Sequence, residues 1–472
     1  MTTEKERTSI EVLPGARRLI NSLRNMSYDF VKAVADLIDN SVQANARVVS
    51  VRMEFDGDRS WVRISDDGDG MSAEELTEAM RYGSERDYGP NELGRFGLGM
   101  KTASFSQCRK LTVASRKNGD DESINIRQWN LDQIDETNRW QVDDIPKEAY
   151  SEILTEPLFG SSGTVVLWEH LDRLLKFKPP DGDRARTWFN RTKRELDEHL
   201  GMVFHRFIAG DIHGKTKLKI TINDSEVIPW DPFAKSERET TILPEKELNI
   251  SSDGRFIRVK YSPFILPTQA RFSSPSAFKR SAGPAKWNSQ QGFYIYRENR
   301  MIQGGGWCRL KALEEHSKYA RAALDFDSTA DTVLMLDVTK STVQLPPELR
   351  DELKPLIASL VGESESRYRA SKREDHSIVQ FKQTGVHKSA QEDVQRANNI
   401  RKDTTASEPV NAGSSSKVNL PPKSIDVAAK YRTLGIVIES AARRAGEMMA
   451  LNRIKAVLNS EEPDAARDLG WC

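Results

Sequence analysis

Asp36 and Asn40 stand four residues apart in Ala35-Asp36-Leu37-Ile38-Asp39-Asn40-Ser41. On a helix that spacing turns both side chains the same way, one turn from each other. An amide oxygen is a hard ligand suited to magnesium, which keeps several waters and takes further ligands from substrate phosphates. A carboxylate one turn away can orient a water and accept its proton. Asp39 projects off that line and is a weaker candidate for the same work. A second segment, Asp66-Asp67-Gly68-Asp69-Gly70-Met71, puts a carboxylate after an apolar run and ahead of two glycines. Such a carboxylate can accept a hydrogen bond from an exocyclic amine of a base, and the glycines let the backbone approach a flat ring. A third, Gly94-Arg95-Phe96-Gly97-Leu98-Gly99-Met100-Lys101-Thr102, is a glycine-rich run that opens a helix. Free N–H groups at a helix start bind phosphate, and Lys101 could add a charge. Singly, these patterns equally describe a surface helix, a turn and a loop. In this order they describe a pocket for ATP.

The run from Gly94 to Thr102 also approaches a Walker A loop with one residue inserted. A P-loop follows a buried strand, whereas 84 to 93 reads as polar loop, so the P-loop reading is set aside.

The elements that must position these groups follow from periodicity. Residues 14–28 open with Pro14 and predict a short helix, and Tyr28 to Ala44 predicts a stronger one, with Phe30, Val34, Leu37, Ile38 and Ser41 at helical spacing. A hairpin is expected from 47–55 and 61–64 around Asp56-Gly57-Asp58. Ser72 reads as the N-cap of a helix reaching about Tyr82, with Glu74 and Glu75 in its first turn. Residues 83–98 read as a mobile loop, followed by a helix over 99–107 and strands over 109–116, 123–131 and 163–168. Beyond lie a long helix over 181–208, strands over 217–222, 255–261, 292–297 and 332–338, and a basic, Ser- and Pro-containing loop over 268–290. From about 361 the chain turns polar, with Gly413-Ser414-Ser415-Ser416, and reads as a disordered linker to 424. A last amphipathic helix is expected over 425–458.

Size and charge bound the rest. The chain has 472 residues, 38% of them hydrophobic, enough for two or three domains with ordinary cores. Its 70 basic and 70 acidic residues give a formal net charge of +0, so any nucleic-acid contact has to come from a local patch. No apolar run reaches the ~18 residues of a membrane span. The charged opening, Met1 to Arg7, does not read as a signal peptide. Cys108, Cys308 and Cys472 are far apart and form no metal spacing or disulfide framework, so a reducing cytoplasm is expected. The histidines are scattered, with no constellation for a metal nuclease.

Taken together, the three segments resemble the motifs of the GHKL superfamily, which includes DNA gyrase B, the ninety-kilodalton heat-shock chaperone, histidine kinases and MutL. The resemblance is to the MORC and MutL-like branch. Gly163-Thr164, ahead of Val165-Val166-Leu167-Trp168, looks like that superfamily's last nucleotide motif. The resemblance implies a two-layer α+β ATPase domain over 1–180 and an α+β transducer domain of ribosomal S5-like type over 181–360, then the linker over 361–424 and a helical segment over 425–472. It implies that Asp66 contacts adenine, that Thr164 supports it through water, and that Asn40 holds magnesium. The segment 83–98 would be the ATP lid. Asn223 to Phe233, Gln291 to Arg297 and Thr339-Lys340-Ser341 are similar to transducer segments. In relatives, a lysine at the Lys340 position reaches the γ-phosphate. One departure stands out: the base position, usually Glu, is Asp36. The implied cofactors are ATP and Mg2+; the implied behaviour is ATP-gated homodimerisation with slow hydrolysis. A DNA-associated clamp in DNA metabolism, phage defence or restriction is the expected output, with a nuclease or restriction-type partner for cleavage. Arg271, Lys279, Arg280 and Lys286, interleaved with Phe272, Phe278 and Trp287, suit nucleic-acid contact. The alternatives are an assembly switch with negligible turnover and a chaperone-like ATPase.

Overall fold

A computed structural model describes residues 14–25, 28–83, 99–118, 123–149, 151–159, 161–252, 254–331, 333–334 and 343–371, with scattered positions from 439 onward. The chain divides into a unit over 1–385 and another over 386–472.

The first unit begins with helices α1 (Ala16–Arg24) and α2 (Phe30–Gln43), strands β1 (Val48–Glu54) and β2 (Trp61–Asp66), and helices α3 (Ala73–Met80) and α4 (Gly99–Phe105). It continues through β3 (Lys110–Arg116), β4 (Asn125–Asn130), α5 (Leu131–Thr137), β5 (Asp143–Asp144), α6 (Glu152–Thr155) and β6 (Gly163–Glu169). Helices α7 (Asp183–Val203) and α8 (His205–Ala209) then lead to β7 (Lys219–Ile222) and β8 (Ser225–Glu226). The strands form one sheet in the order β5-β4-β3-β6-β2-β1-β7-β8. Within it, only β7 runs parallel to its neighbour β1. The strand predicted over 217–222 therefore extends the first sheet. Alternation along β6 sets the layers: Val166 and Trp168 join the core under α1, α2, α4 and α7, and Val165 and Leu167 join the opposite cluster with Leu154 and Leu158. The hairpin, the Ser72 cap and the helices over 16–24, 30–43 and 99–105 agree with the periodicity.

A second sheet follows: β9 (Thr241–Ile242), β10 (Lys246–Ser252), β11 (Arg255–Ile265), β12 (Gly292–Arg297), β13 (Arg300–Gly304) and β14 (Ala320–Phe326), with helices α9 (Pro275–Ser281) and α10 (Lys286–Gln290) before β12. Its order is β10-β11-β14-β12-β13, with β9 paired to β11. A further helix, α11, spans 347–371 and buries Leu349, Leu353, Ile357 and Leu360 against this sheet. The polar stretch from 361 thus begins inside a helix. Arg367 on its last turns donates to the carbonyls of Ile265 and Leu266 at 3.1 and 3.3 Å, which holds those turns to β11. The mixed α+β class is as expected.

Two further sequence expectations change. Residues 268–290 contain helices, and the aromatic side chains meant for a nucleic-acid surface pack on one another instead. Phe278 stacks on Trp287 with centroids 4.6 Å apart, and Phe272 is buried against both. Apolar rings that can reach a core bury there; Arg271, Lys279, Arg280 and Lys286 stay exposed. The strand expected over 332–338 lies mostly outside the described residues, and Val333 and Leu334 sit in a turn. The helix expected over 425–458 falls largely outside them as well. In the unit over 386–472, Lys455 pairs with Glu439 and Leu451 is buried. No described helix is long and apolar enough to cross a membrane.

Candidate nucleotide site

Asp66 ends β2 between two partner strands, facing Val49 of β1 and Thr164 of β6. Its Oδ1 accepts from the amides of Gly68 at 3.0 Å and Thr164 at 3.2 Å. Its Oδ2 accepts from Ser41 Oγ on α2 at 2.7 Å. One carboxylate thus joins α2, β2 and β6. Burial raises its pKa, and the hydrogen bonds from Ser41, Gly68 and Thr164 oppose that rise.

The loop after Asp66 packs closely on its neighbours because its glycines allow it. Gly70 has φ +67°, and a Cβ there would stand 1.8 Å from the Arg116 carbonyl oxygen. Gly163 on β6 has φ +146°, and its Cβ would stand 1.9 Å from the Asp66 carbonyl oxygen. At Gly68 a Cβ would come within 2.6 Å of the Ala44 oxygen. Ser115 on β3 ties these pieces together. Its Oγ accepts from the Met71 amide at 2.9 Å, donates to the Gly163 carbonyl at 2.9 Å and lies 3.0 Å from Thr164 Oγ1. Asp66, Gly68, Gly70, Met71 and Thr164 are therefore brought together. Asp67 and Asp69 fix the surroundings: Asp67 accepts from the Arg47 and Val48 amides, and Asp69 from Asn45.

On α2, Asn40 is exposed while Asp36 and Asp39 are buried. Tyr28 donates its hydroxyl to Asp36 Oδ2. Arg300, from β13, donates to Asp36 Oδ1 at 3.4 Å and to Asp39 Oδ1 at 3.1 Å. Burial, then the neighbouring Asp36 charge, pushes the Tyr28 phenol up. His199 of α7, beside this cluster, is held neutral: burial, then Arg300 and Lys32, bring it down to about 3. No local pattern in the sequence marks Ser41, Ser115, Tyr28 or Arg300 as parts of this site. Periodicity places Tyr28 and Ser41 on a helix and says nothing more of them.

At α4, Gly99 and Met100 are half-buried. Lys101 and Thr102 are buried and are not presented at the helix start. The Lys101 ammonium donates to the Ala79 carbonyl at 2.8 Å, closing the end of α3, and burial lowers its pKa to about 8. Thr102 Oγ1 has no hydrogen-bond partner. Gly94, Gly97, Leu98 and Lys340 lie outside the described residues.

The donor set can be tested against the expected ligands. Among the described residues no group of three or more His, Cys, Asp or Glu side chains could hold a metal. One exposed amide, Asn40, suits a magnesium ion that takes its other ligands from phosphates and water, not from a protein cage. Glycine backbone beside the Asp66 carboxylate leaves no side chain to hold off a planar base.

Residues 28–164 match the family described as histidine kinase-, DNA gyrase B-, and HSP90-like ATPase. The ATPase morc-1 of Caenorhabditis elegans is 29% identical over 103 residues, which is 21% of this chain and 12% of that relative. The match therefore spans a small part of that relative's length. Residues 28–164 form a GHKL-type ATPase domain, and a MORC protein is among the chain's relatives.

Proposed function

We propose that this chain binds ATP with magnesium, hydrolyses it slowly, and dimerises in response. The observation that carries the reading is the Asp66 carboxylate, fixed by Ser41, Gly68 and Thr164 between glycines that pack closely on their neighbours. In this reading Asp66 accepts from the adenine amine, with Thr164 supporting it through water, and Gly68, Gly70 and Met71 pass under the base. The amides of Gly94, Gly97, Leu98, Gly99 and Met100 bracket the phosphates, with Lys101 and Thr102 supporting the turn from within. Asn40 holds magnesium, which supplies charge neutralisation on the phosphates. Asp36 accepts the proton of the water that attacks the γ-phosphorus. The bond to the bridging oxygen breaks with its electron pair remaining on ADP. Aspartate is one methylene shorter than glutamate, and a misplacement of ~1 Å can cost ~10²-fold in rate, which supports slow turnover. Lys340 would reach the γ-phosphate from the transducer and fix a closed, dimeric state. Exposed Lys279, Arg280 and Lys286 support a DNA-associated clamp of the MORC or MutL-like type, in DNA metabolism, phage defence or restriction alongside a nuclease partner.

The test is nucleotide binding and turnover by the full chain. Asp66→Asn should lose affinity for a non-hydrolysable ATP analogue, and Asp36→Asn should keep that affinity and lose hydrolysis. Normal turnover by Asp36→Asn rejects its role as base; no affinity of the wild-type chain for adenine nucleotides rejects the whole reading. A second reading, a binding switch with negligible turnover, is favoured by one observation. Both Asp36 oxygens already hold partners, Tyr28 and Arg300. Analogue-dependent dimers in size exclusion, without turnover, would select it.

A further inference from the structure

Arg300 opens β13 of the second sheet, yet its guanidinium lies among groups of the ATPase domain. Its side chain is 5% exposed, and those of Asp36 and Asp39 are 5% and 1%. One guanidinium bridges two carboxylates a helical turn apart, through Nε to Asp39 and Nη2 to Asp36. Two anions buried this close require a counter-charge, and removing one partner of such a cluster leaves an uncompensated charge.

The hairpin that aims Arg300 is pinned on its own side. Glu298 and Asn299, with φ of +48° and +70°, make the two-residue turn between β12 and β13. Arg206 of α8 donates to Asn299 Oδ1 at 3.3 Å, pairs with Asp325 of β14, and lies 3.5 Å from the Tyr296 ring centroid. Arg297, just before the turn, is locked to Asp331 at 2.6 and 2.7 Å. On the other side, Gln107 donates to the Tyr28 carbonyl at 3.0 Å, fixing the residue whose hydroxyl meets Asp36. Asp36 is thus held between a phenol anchored in the ATPase domain and a guanidinium anchored in the second sheet.

We propose that Arg300 is a positioning residue for Asp36, the group through which the second sheet sets the hydrolysis step. This rests on the reading of Asp36 as the base. Tyr28 fixes one carboxylate oxygen and Arg300 the other, so the plane of the carboxylate follows the β12–β13 hairpin. With the shorter aspartate, reach to the attacking water is the limiting quantity, and a small shift of the hairpin moves it. Binding of the nucleotide does not depend on Arg300, since the groups assigned to adenine lie at Asp66 and its glycines.

The experiment compares the wild-type chain with Arg300→Gln, Arg300→Lys and Asp36→Asn. It measures turnover at saturating ATP with magnesium, equilibrium affinity for a non-hydrolysable ATP analogue, the thermal midpoint, and amide exchange of peptides covering 30–43 and 292–304 with and without the analogue. Arg300→Gln should lower kcat by about 30-fold while analogue affinity stays within about 3-fold. Arg300→Lys, which keeps the charge but loses the two-pronged geometry, should recover part of that loss. The analogue should change exchange in the 292–304 hairpin of the wild type, and that response should vanish in Arg300→Gln. The proposal is overturned if kcat is unchanged, if kcat and affinity fall together with the thermal midpoint, or if the hairpin responds equally without the arginine. If Arg300→Gln does not fold, Arg300→Lys decides alone: wild-type kcat and a wild-type exchange response overturn the proposal. Wild-type turnover by Asp36→Asn would sink the base assignment separately, and the exchange readout would still judge the link from the hairpin to α2.

Discussion

A methyl group at position 70 has nowhere to go. Gly70 and Gly214 adopt similar left-handed φ, +67° and +76°, but their surroundings differ. A Cβ on Gly70 would stand 1.8 Å from the Arg116 oxygen, and one on Gly214 would meet nothing within 4 Å among the described residues. The backbone cost of placing alanine in that region is about 1–2 kcal/mol for each. Only at position 70 must the loop also move off β3, carrying the Met71 amide away from Ser115. Gly70→Ala should therefore lose affinity for an ATP analogue by at least about tenfold and unfold at lower denaturant than Gly214→Ala, which should bind normally. Equal affinity in the two variants would show that this loop does not line the nucleotide site. The Asp-Gly turn is legible in the sequence because glycine carries its meaning locally. The roles of Asp36 and Asp39 are only half legible. Their identity and helical register are local, but their counter-charge is Arg300, 264 and 261 positions away.

Elements whose ends carry their own signals are legible for the same reason. Around α3 the capping box is complete: Ser72 Oγ accepts from the Glu75 amide at 3.3 Å, and Glu75 Oε2 accepts from the Ser72 amide at 2.8 Å. Ser72→Ala should lower stability by about 1 kcal/mol, read as a shift in the urea midpoint with an unchanged slope; no shift would mean that the helix start is held by other contacts, such as Lys117 to Glu75. Elements specified by distant partners carry no such local mark. The segment Ala320-Arg321-Ala322-Ala323-Leu324 is rich in helix formers, yet it is the central strand β14, between β11 and β12. Its Arg321 is fully buried, donating to the Pro232 and Ser281 carbonyls and facing the rings of Trp230, Trp287 and Tyr294. Likewise, β7 reads as an ordinary short strand, and nothing in its four residues says that it pairs with the distant β1.

At the scale of the whole molecule, charge decides what kind of DNA contact is physically available. A formal net charge of +0 gives no long-range attraction to a polyanion. If the proposed clamp touches DNA, attraction must come from a patch, and the exposed cations of α9 and α10 are candidates: Lys279, Arg280 and Lys286. Their aromatic neighbours are packed inward, so base stacking by Phe272, Phe278 and Trp287 is not part of that contact. What remains is phosphate neutralisation, which is insensitive to sequence and strongly sensitive to salt. The triple variant Lys279→Gln, Arg280→Gln, Lys286→Gln should keep its affinity for an ATP analogue. It should lower the slope of log affinity for DNA against log salt by roughly 0.9 for each phosphate that is no longer neutralised. Because no aromatic stacking contributes, single-stranded and duplex DNA should weaken together. A slope that does not move would place the DNA contact elsewhere, and DNA binding retained at high salt would mean that charge is not what holds it.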